Sequence, residues 1–361
     1  MRVLQLIDSL QTGGAERIAV NFANALAENI EASYLCATRE EGLLKEALSK
    51  DVNYLFLKKT KTLDFKALKR LRIFIKENKI DIIHAHSSSY FFAVLLKLSG
   101  GNIKLVWHDH NGNRSKTKII NKIVLRICSV FLNHIFCVNQ DLKHWLNKNI
   151  KSVNVSVLNN FPSKSNECSV TKLSGDNRKR IILLANLRKP KNHFIALDAF
   201  KIVNGKHPKW TLHFIGNDYN DSYSKALKFK ISELKIKDNV YIYGAKPDIS
   251  SILAQCDIGV LSSNYEGLPV ALLEYGLAKL PVVVTDVGDC NKVVYNKKNG
   301  FIVKPNNSIA LSEAIIMLIE NVALATKFKI ELNNKVLKEY SEEGVIKEIV
   351  DKYQTILNYE K

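Results

Sequence analysis

The chain has 361 residues, 46% hydrophobic and 24% charged, which is enough for two ordinary domains with buried cores and too apolar for disorder. Lys97 and Glu313 interrupt the most apolar stretches, leaving no uncharged run of the ~18 residues that a bilayer-spanning helix requires. With 53 Lys and Arg against 35 Asp and Glu the formal net charge is +18, a field that draws a protein to polyanions: nucleic acid, anionic lipid headgroups or a diphosphate ligand.

The N-terminus, MRVLQLIDSLQTGG, carries one positive charge and a short apolar run, and reads as a first strand rather than a signal peptide, so a cytosolic protein is expected. Apolar runs then alternate with helical periodicity. Strands are predicted over 3–9, 32–38, 52–57, 81–87, 104–110, 134–139 and 155–160, and helices over 15–28, 41–49, 64–77, 90–98 and 118–132. Repeated βα units of this kind specify a mostly parallel sheet covered by helices on both faces. A polar stretch rich in Ser, Asn and Lys follows Pro162, and 166–179 reads as a linker between a first domain over 1–165 and a second over 180–340. The second domain restarts the rhythm: strands over 181–187, 210–217, 240–245, 257–263, 281–286 and 300–303 alternate with helices over 192–203, 223–234, 249–255 and 269–279, with a short helix near 292. Residues 341–361 read as an amphipathic helix returning to the first domain. Two Rossmann-like units joined by a linker imply a cleft that both sets of strand C-termini face. Six scattered cysteines, without C-x-x-C or zinc-type spacing, read as reduced, mostly buried thiols.

Four groups of residues carry the chemistry. In LSSNYEGLPVALLEYGLAKLP (261–281), Glu266 sits on a strand-to-helix loop and Glu274 within the helix, in otherwise apolar surroundings. Eight residues of helical rise span ~12 Å, too far for two carboxylates to share a proton but suited to gripping two parts of one long ligand. Gly13 and Gly14, between the first strand and a helix, expose backbone N–H groups to an anion, although G-x-G-x-x-G is absent. Arg188, Lys189 and Lys191 precede a helix and fit a diphosphate, where they would also stabilise charge on a departing phosphate. His84 with His86, and His108 with His110, form two H-x-H pairs at strand ends. Each pair shares one face of the sheet, and no third and fourth ligand of recognisable spacing joins it to make a metal site.

Taken together, TGGAER, the strand ending in His110, NLRKPKNHFIALDAF, FIGN, YEGLPVALLEYGLAKLPVVVTDVG and NGFIV closely resemble the family 4 retaining glycosyltransferases of the GT-B fold, over essentially the whole chain. The resemblance implies an α/β fold of two Rossmann-like domains. It further implies that Glu266 and the backbone N–H groups of Gly267 and Leu268 hold the hydroxyls of the donor sugar. Glu274 then accepts from the ribose, Lys191 and Arg188 bind the diphosphate, and the Gly13–Gly14 turn completes the anion site. Pro269, Gly216 and Gly244 belong to the same donor site; His110 lies beside the anomeric carbon, and His86, His108 and Asn111 meet the acceptor. Two departures from the family pattern are Asn186, where many members carry the Arg, and Asp289 after Gly288, where a second Gly is frequent.

The function this resemblance implies is transfer of a sugar from a nucleotide diphosphate donor, expected to be a UDP-sugar, to an acceptor hydroxyl with retention of configuration. Neither a cofactor nor a metal is called for, and the nucleotide sugar is a co-substrate. The basic amphipathic segments 58–79 and 113–131 point to an anionic membrane surface and a lipid-linked or growing surface glycan, as in lipopolysaccharide or capsule synthesis, with the protein peripheral on the inner face of the cytoplasmic membrane. A nucleotide-sugar epimerase or hydrolase of the same fold is the alternative. A basic nucleic-acid-binding protein is a more distant one, since no recognisable nucleic-acid motif is present.

Overall fold

The computed structural model describes residues 1–100, 103–111, 114–115, 117–150, 154–162 and 171–358. Positions 166–170 of the stretch read as a linker, 359–361 of the terminal segment, and 113 and 116 of the second basic segment lie outside the described residues. The chain divides into two compact units, one of Met1–Phe161 with Glu342–Lys361 and the other of Pro162–Ser341.

In the first unit β1 (Arg2–Ser9), β2 (Ala32–Glu40), β3 (Val52–Phe56), β4 (Ile82–His86), β5 (Lys104–Asp109), β6 (His134–Cys137) and β7 (Val155–Val157) form one parallel sheet in the order β3-β2-β1-β4-β5-β6-β7. All five residues of β4 and all four of β6 are buried, as expected of strands covered on both faces. The covering helices are α1 (Gly14–Ala27), α2 (Phe65–Glu77), α3 (Tyr90–Leu98), α4 (Ile119–Ser129) and α5 (Gln140–Asn149). Each aliphatic or Phe side chain they bury contributes about 1.5–3 kcal/mol.

Two elements depart from the sequence reading. Residues 41–49 form only a 3₁₀ turn at Leu43–Lys45, because Gly42 docks against the Leu10 backbone, where a Cβ would come within 2.4 Å of the Leu10 carbonyl oxygen. Conversely, α5 is a true helix that the sequence pattern does not disclose. Its sequence QDLKHWLNKN is mostly polar, and it is started by Asn139, whose side chain accepts from the Leu142 N–H, with Asp141 in the first turn.

The second unit repeats the plan with β8 (Arg180–Leu184), β9 (Thr211–Ile215), β10 (Val240–Ile242), β11 (Ile258–Leu261), β12 (Val282–Thr285) and β13 (Phe301–Val303), parallel throughout in the order β10-β9-β8-β11-β12-β13. Its helices are α6 (His193–Lys206), α7 (Ser222–Glu233), α8 (Ile249–Leu253), α9 (Val270–Leu277), α10 (Cys290–Val293), α11 (Ser308–Glu320) and α12 (Val322–Glu339). The last helix, α13 (Glu342–Asn358), belongs to the first unit and buries Val345, Ile346, Ile349, Tyr353 and Ile356 there. In each sheet the chain reverses its winding direction beside the first strand, between β1 and β4 and between β8 and β11, which is where parallel α/β sheets place their ligands. Among the described residues five cysteines are free and buried, and no single helix is long and apolar enough to cross a membrane.

Candidate functional site

At the switch point of the second sheet, the loop after β8 and the loop after β11 meet. Lys191 ends a 3₁₀ turn of Lys189–Lys191, and its Nζ lies 2.6 and 2.7 Å from the two carboxylate oxygens of Glu266. The Ser263 hydroxyl donates to Glu266 Oε1 over 2.6 Å. Glu266 is 7% exposed, so a charge that would be costly to bury alone is matched by one cation and one hydroxyl. The two loops are strapped together by backbone as well. Ser262 Oγ donates to the carbonyls of Lys191 and Asn192, Asn264 N–H donates to Pro190 O over 2.8 Å, and Asn192, in a left-handed conformation at φ 48°, bonds through its amide to Asn264 and Asn306.

Helix α9 begins after Pro269, which sits at the cap position rather than the first helical one, so Glu274 falls in the middle of the helix and is buried. Its neighbour Tyr275 anchors the helix to the sheet by accepting the Leu184 N–H at 2.7 Å. Gly259 in β11 makes room for the ring, since a Cβ there would lie 2.6 Å from it. The loop after β12 closes on the same place. Gly288 has φ +54°, and a Cβ there would meet the Glu266 carbonyl at 2.2 Å; Asp289 N–H donates to Gly267 O at 3.0 Å. Gly288 is therefore a glycine by both conformation and space.

Arg188 is placed differently from Lys191. It is exposed, and its guanidinium lies 4.7 Å from the centre of the Tyr219 ring and hydrogen-bonds the Tyr219 hydroxyl. Asn186, two residues earlier, accepts from the Asn217 N–H. Gly216 and Gly244 adjoin at the ends of β9 and β10, with Gly216 N–H donating to Gly244 O at 2.9 Å. Both have positive φ, and Gly216 also lies against the Ala185 carbonyl.

In the first unit Gly13 caps α1 in an extended conformation and Gly14 is its first residue; a Cβ on Gly13 would strike the Glu16 carboxylate. The four histidines at the ends of β4 and β5 occupy one face of the sheet, covered by Phe22 of α1, Phe161 and Tyr353 of α13. Their rings stack: His84 on His86 at 4.6 Å and His108 on His110 at 4.1 Å. His86 and His108 are wholly enclosed, and this corrects their assignment to the acceptor, which cannot touch side chains packed beneath two helices. His110 and Asn111 reach further out, and Asn111 is held by Asp109, itself buried against Arg114. Ring nitrogens of His84, His86 and His108 lie within 4.8 Å of one another. Both nitrogens of His86 are already hydrogen-bonded, however, and stacked rings do not aim their lone pairs at a common point.

Burial drives every one of these histidines toward the neutral form. His84, His86 and His108 are held well below the usual imidazole range, each further lowered by its histidine neighbours, and His110 falls to about 3.

Two parallel-sheet units, each with polar loops at its switch point, match known proteins along almost the whole chain. Residues 12–161 match the family described as Glycosyltransferase Family 4, and residues 167–334 the family described as Glycosyl transferases group 1. The chain belongs to the family 4 glycosyltransferases. The Escherichia coli UDP-Gal:alpha-D-GlcNAc-diphosphoundecaprenol alpha-1,3-galactosyltransferase is 23% identical to this glycosyltransferase over 94% of the chain and 93% of its own length. The E. coli O-antigen biosynthesis glycosyltransferase WbnH is 26% identical over 83% of the chain and 85% of its own length. The crystal structure of Anabaena HepE in complex with UDP and glucose superposes with a TM-score of 0.82 at 18% identity, covering 98% of the chain and all of HepE, which establishes the fold as GT-B.

Several residues that build the transferase's loops escaped the sequence reading: Ser262, Ser263, Asn192, Asn264 and Tyr219. The first two stand beside Glu266 in SSNYEG, where small hydroxyl residues before a buried carboxylate are a usable signal. Asn192 and Tyr219 act across 72 and 31 residues of chain, and nothing local marks them.

Proposed function

We propose that this glycosyltransferase moves a sugar from a nucleotide diphosphate donor, a UDP-sugar, to a hydroxyl of a lipid-linked or growing surface glycan, with retention of configuration and without a metal ion. The observation that carries the proposal is the contact between Lys191 and Glu266: a flexible ammonium and a fixed carboxylate held together at a sheet switch point. An arriving diphosphate competes for the Lys191 ammonium, and the carboxylate oxygens this exposes accept hydrogen bonds from sugar hydroxyls. Ser263 keeps Glu266 in place during the exchange.

In this reading Gly267 and Leu268 add backbone N–H groups to the sugar, Glu274 takes the ribose, and Gly216, Gly244 and Pro269 shape the loops around the nucleotide. Arg188, stacked on Tyr219, reaches the diphosphate as an outer cation. Catalysis then rests on positioning and on cations at the leaving phosphate, which itself helps to deprotonate the acceptor hydroxyl on the face it departs from; no protein nucleophile takes part.

The names of the relatives support the substrate classes: one E. coli relative is described with a UDP-galactose donor and a diphosphoundecaprenol-linked acceptor, and HepE was crystallised with UDP and glucose. A panel of UDP-sugars incubated with a diphosphoundecaprenol-linked acceptor, with and without a chelator, tests the reading. Mass analysis is expected to show one sugar added, NMR to show the donor's anomeric configuration kept, and chelation to leave the rate unchanged. Donor hydrolysis or epimerisation in place of transfer would overturn it.

A further inference from the structure

The histidine stack contains a hydrogen-bond chain whose direction can be read from the chemistry of its ends. Gln5 in β1 places its amide oxygen 2.8 Å from His86 Nε2, and His86 Nδ1 lies 2.9 Å from His110 Nε2. An amide oxygen only accepts, so His86 carries its proton on Nε2. A neutral imidazole has a single N–H, so His86 Nδ1 is an acceptor and the proton shared with His110 belongs to His110 Nε2. The remaining nitrogen of a neutral His110, Nδ1, is then unprotonated. Burial keeps both rings neutral.

We propose that Gln5 and His86 are positioning residues, which fix His110 in the tautomer with its proton on Nε2 so that Nδ1 is offered as a hydrogen-bond acceptor to a sugar hydroxyl. The hydroxyl rests on the transfer reaction proposed above; the tautomer does not. His86 and Gln5 are both fully enclosed and act only through His110. The Gln5 amide also bears on the Tyr353 hydroxyl, favouring its ionised form against the larger effect of burial, although the contact falls short of full hydrogen-bond geometry. A group that favours the ionised phenol is a donor, so the amide nitrogen is the end turned to Tyr353 and the amide oxygen the end turned to His86. Tyr353 in turn spends its hydroxyl on His84 Nδ1, at 2.6 Å.

Long-range proton–nitrogen NMR of protein labelled with ¹⁵N-histidine distinguishes the two tautomers directly, with His110 assigned by the signal lost in His110→Gln. Both His86 and His110 are expected to carry the proton on Nε2 at neutral pH. Gln5→Met, a near-isosteric change that removes the amide oxygen, is expected to give His110 a mixed tautomer population, and Gln5→Leu serves if the first variant folds poorly. With a UDP-sugar that the wild type transfers, the same variant is expected to lower kcat about tenfold, the worth of one well-placed hydrogen bond, with the donor KM unchanged. A wild-type His110 protonated on Nδ1, or a His110 tautomer indifferent to Gln5→Met and Gln5→Leu, would overturn the proposal. A tautomer shift without any change in kcat would overturn the positioning role. A wild type that transfers no sugar would instead sink the transfer reaction and leave the tautomer result standing.

Discussion

Glu266 is the residue on which the second unit's loops converge: Lys191 from the loop after β8 and Ser263 from its own loop bond to its carboxylate, and Gly288 from the loop after β12 runs so close that a Cβ there would meet its carbonyl. Removing Lys191 leaves a nearly buried carboxylate with one hydroxyl partner, so Lys191→Met is expected to lower turnover by about 10²–10³, and Lys191→Met with Glu266→Gln by far less than the product of the two single effects. A strictly multiplicative double variant in steady-state assays would show that the two residues serve independent ligands. Gly288→Ala is expected to destabilise the protein by about 2 kcal/mol or more in urea unfolding, because alanine dislikes positive φ and its Cβ meets the Glu266 carbonyl; a stability equal to wild type would contradict that packing. At this scale the sequence names Glu266 and Lys191 but assigns them to different parts of one ligand. Their contact spans 75 residues, and no local pattern encodes it.

At the scale of elements, the alternation of apolar runs and helical periodicity was legible because strands buried on both faces, such as β4 and β6, cannot look otherwise. What local pattern could not show was α5, where two buried leucines in a polar decapeptide are too few to reveal a helix, or the enclosure of the histidines, which depends on α1 and on α13 from the far end of the chain. That enclosure has a measurable consequence. In the unfolded chain these histidines protonate near pH 6.5, whereas in the fold they stay neutral until much lower pH, to about 3 for His110. Their contribution to stability is therefore fully present above pH ~6.5 and is lost as pH falls below it, at about 1.4 kcal/mol per pH unit for each histidine. Urea midpoints are expected to drop between pH 7.5 and pH 5, and the drop should lessen in His108→Leu, which removes a ring whose two nitrogens have no partner among the described residues. Midpoints independent of pH over that range would refute the buried, neutral stack.

For the molecule as a whole, the net charge of +18 gains meaning from where apolar side chains are exposed. On α4 Ile119, Ile120, Ile123 and Ile127 are all more than half exposed, and Lys118, Lys122 and Arg126 stand among them. An apolar stripe edged with cations is the composition of a helix that lies in a membrane interface, which agrees with the lipid-linked acceptor proposed above. Sedimentation with vesicles containing phosphatidylglycerol is expected to recover the protein at low salt and to weaken as salt rises. Ile120→Ser with Ile123→Ser should reduce binding several-fold; no binding at any salt would rule out docking on an anionic membrane. Reception of a nucleotide sugar by the Lys191–Glu266 pair is put to the test by comparing UDP affinity and UDP-sugar transfer in Glu266→Gln. UDP affinity is expected to stay within a few-fold of wild type while transfer falls by about 10² or more, since the carboxylate serves the sugar and not the nucleotide. Transfer at the wild-type rate would show that the Glu266 carboxylate does not hold the donor sugar.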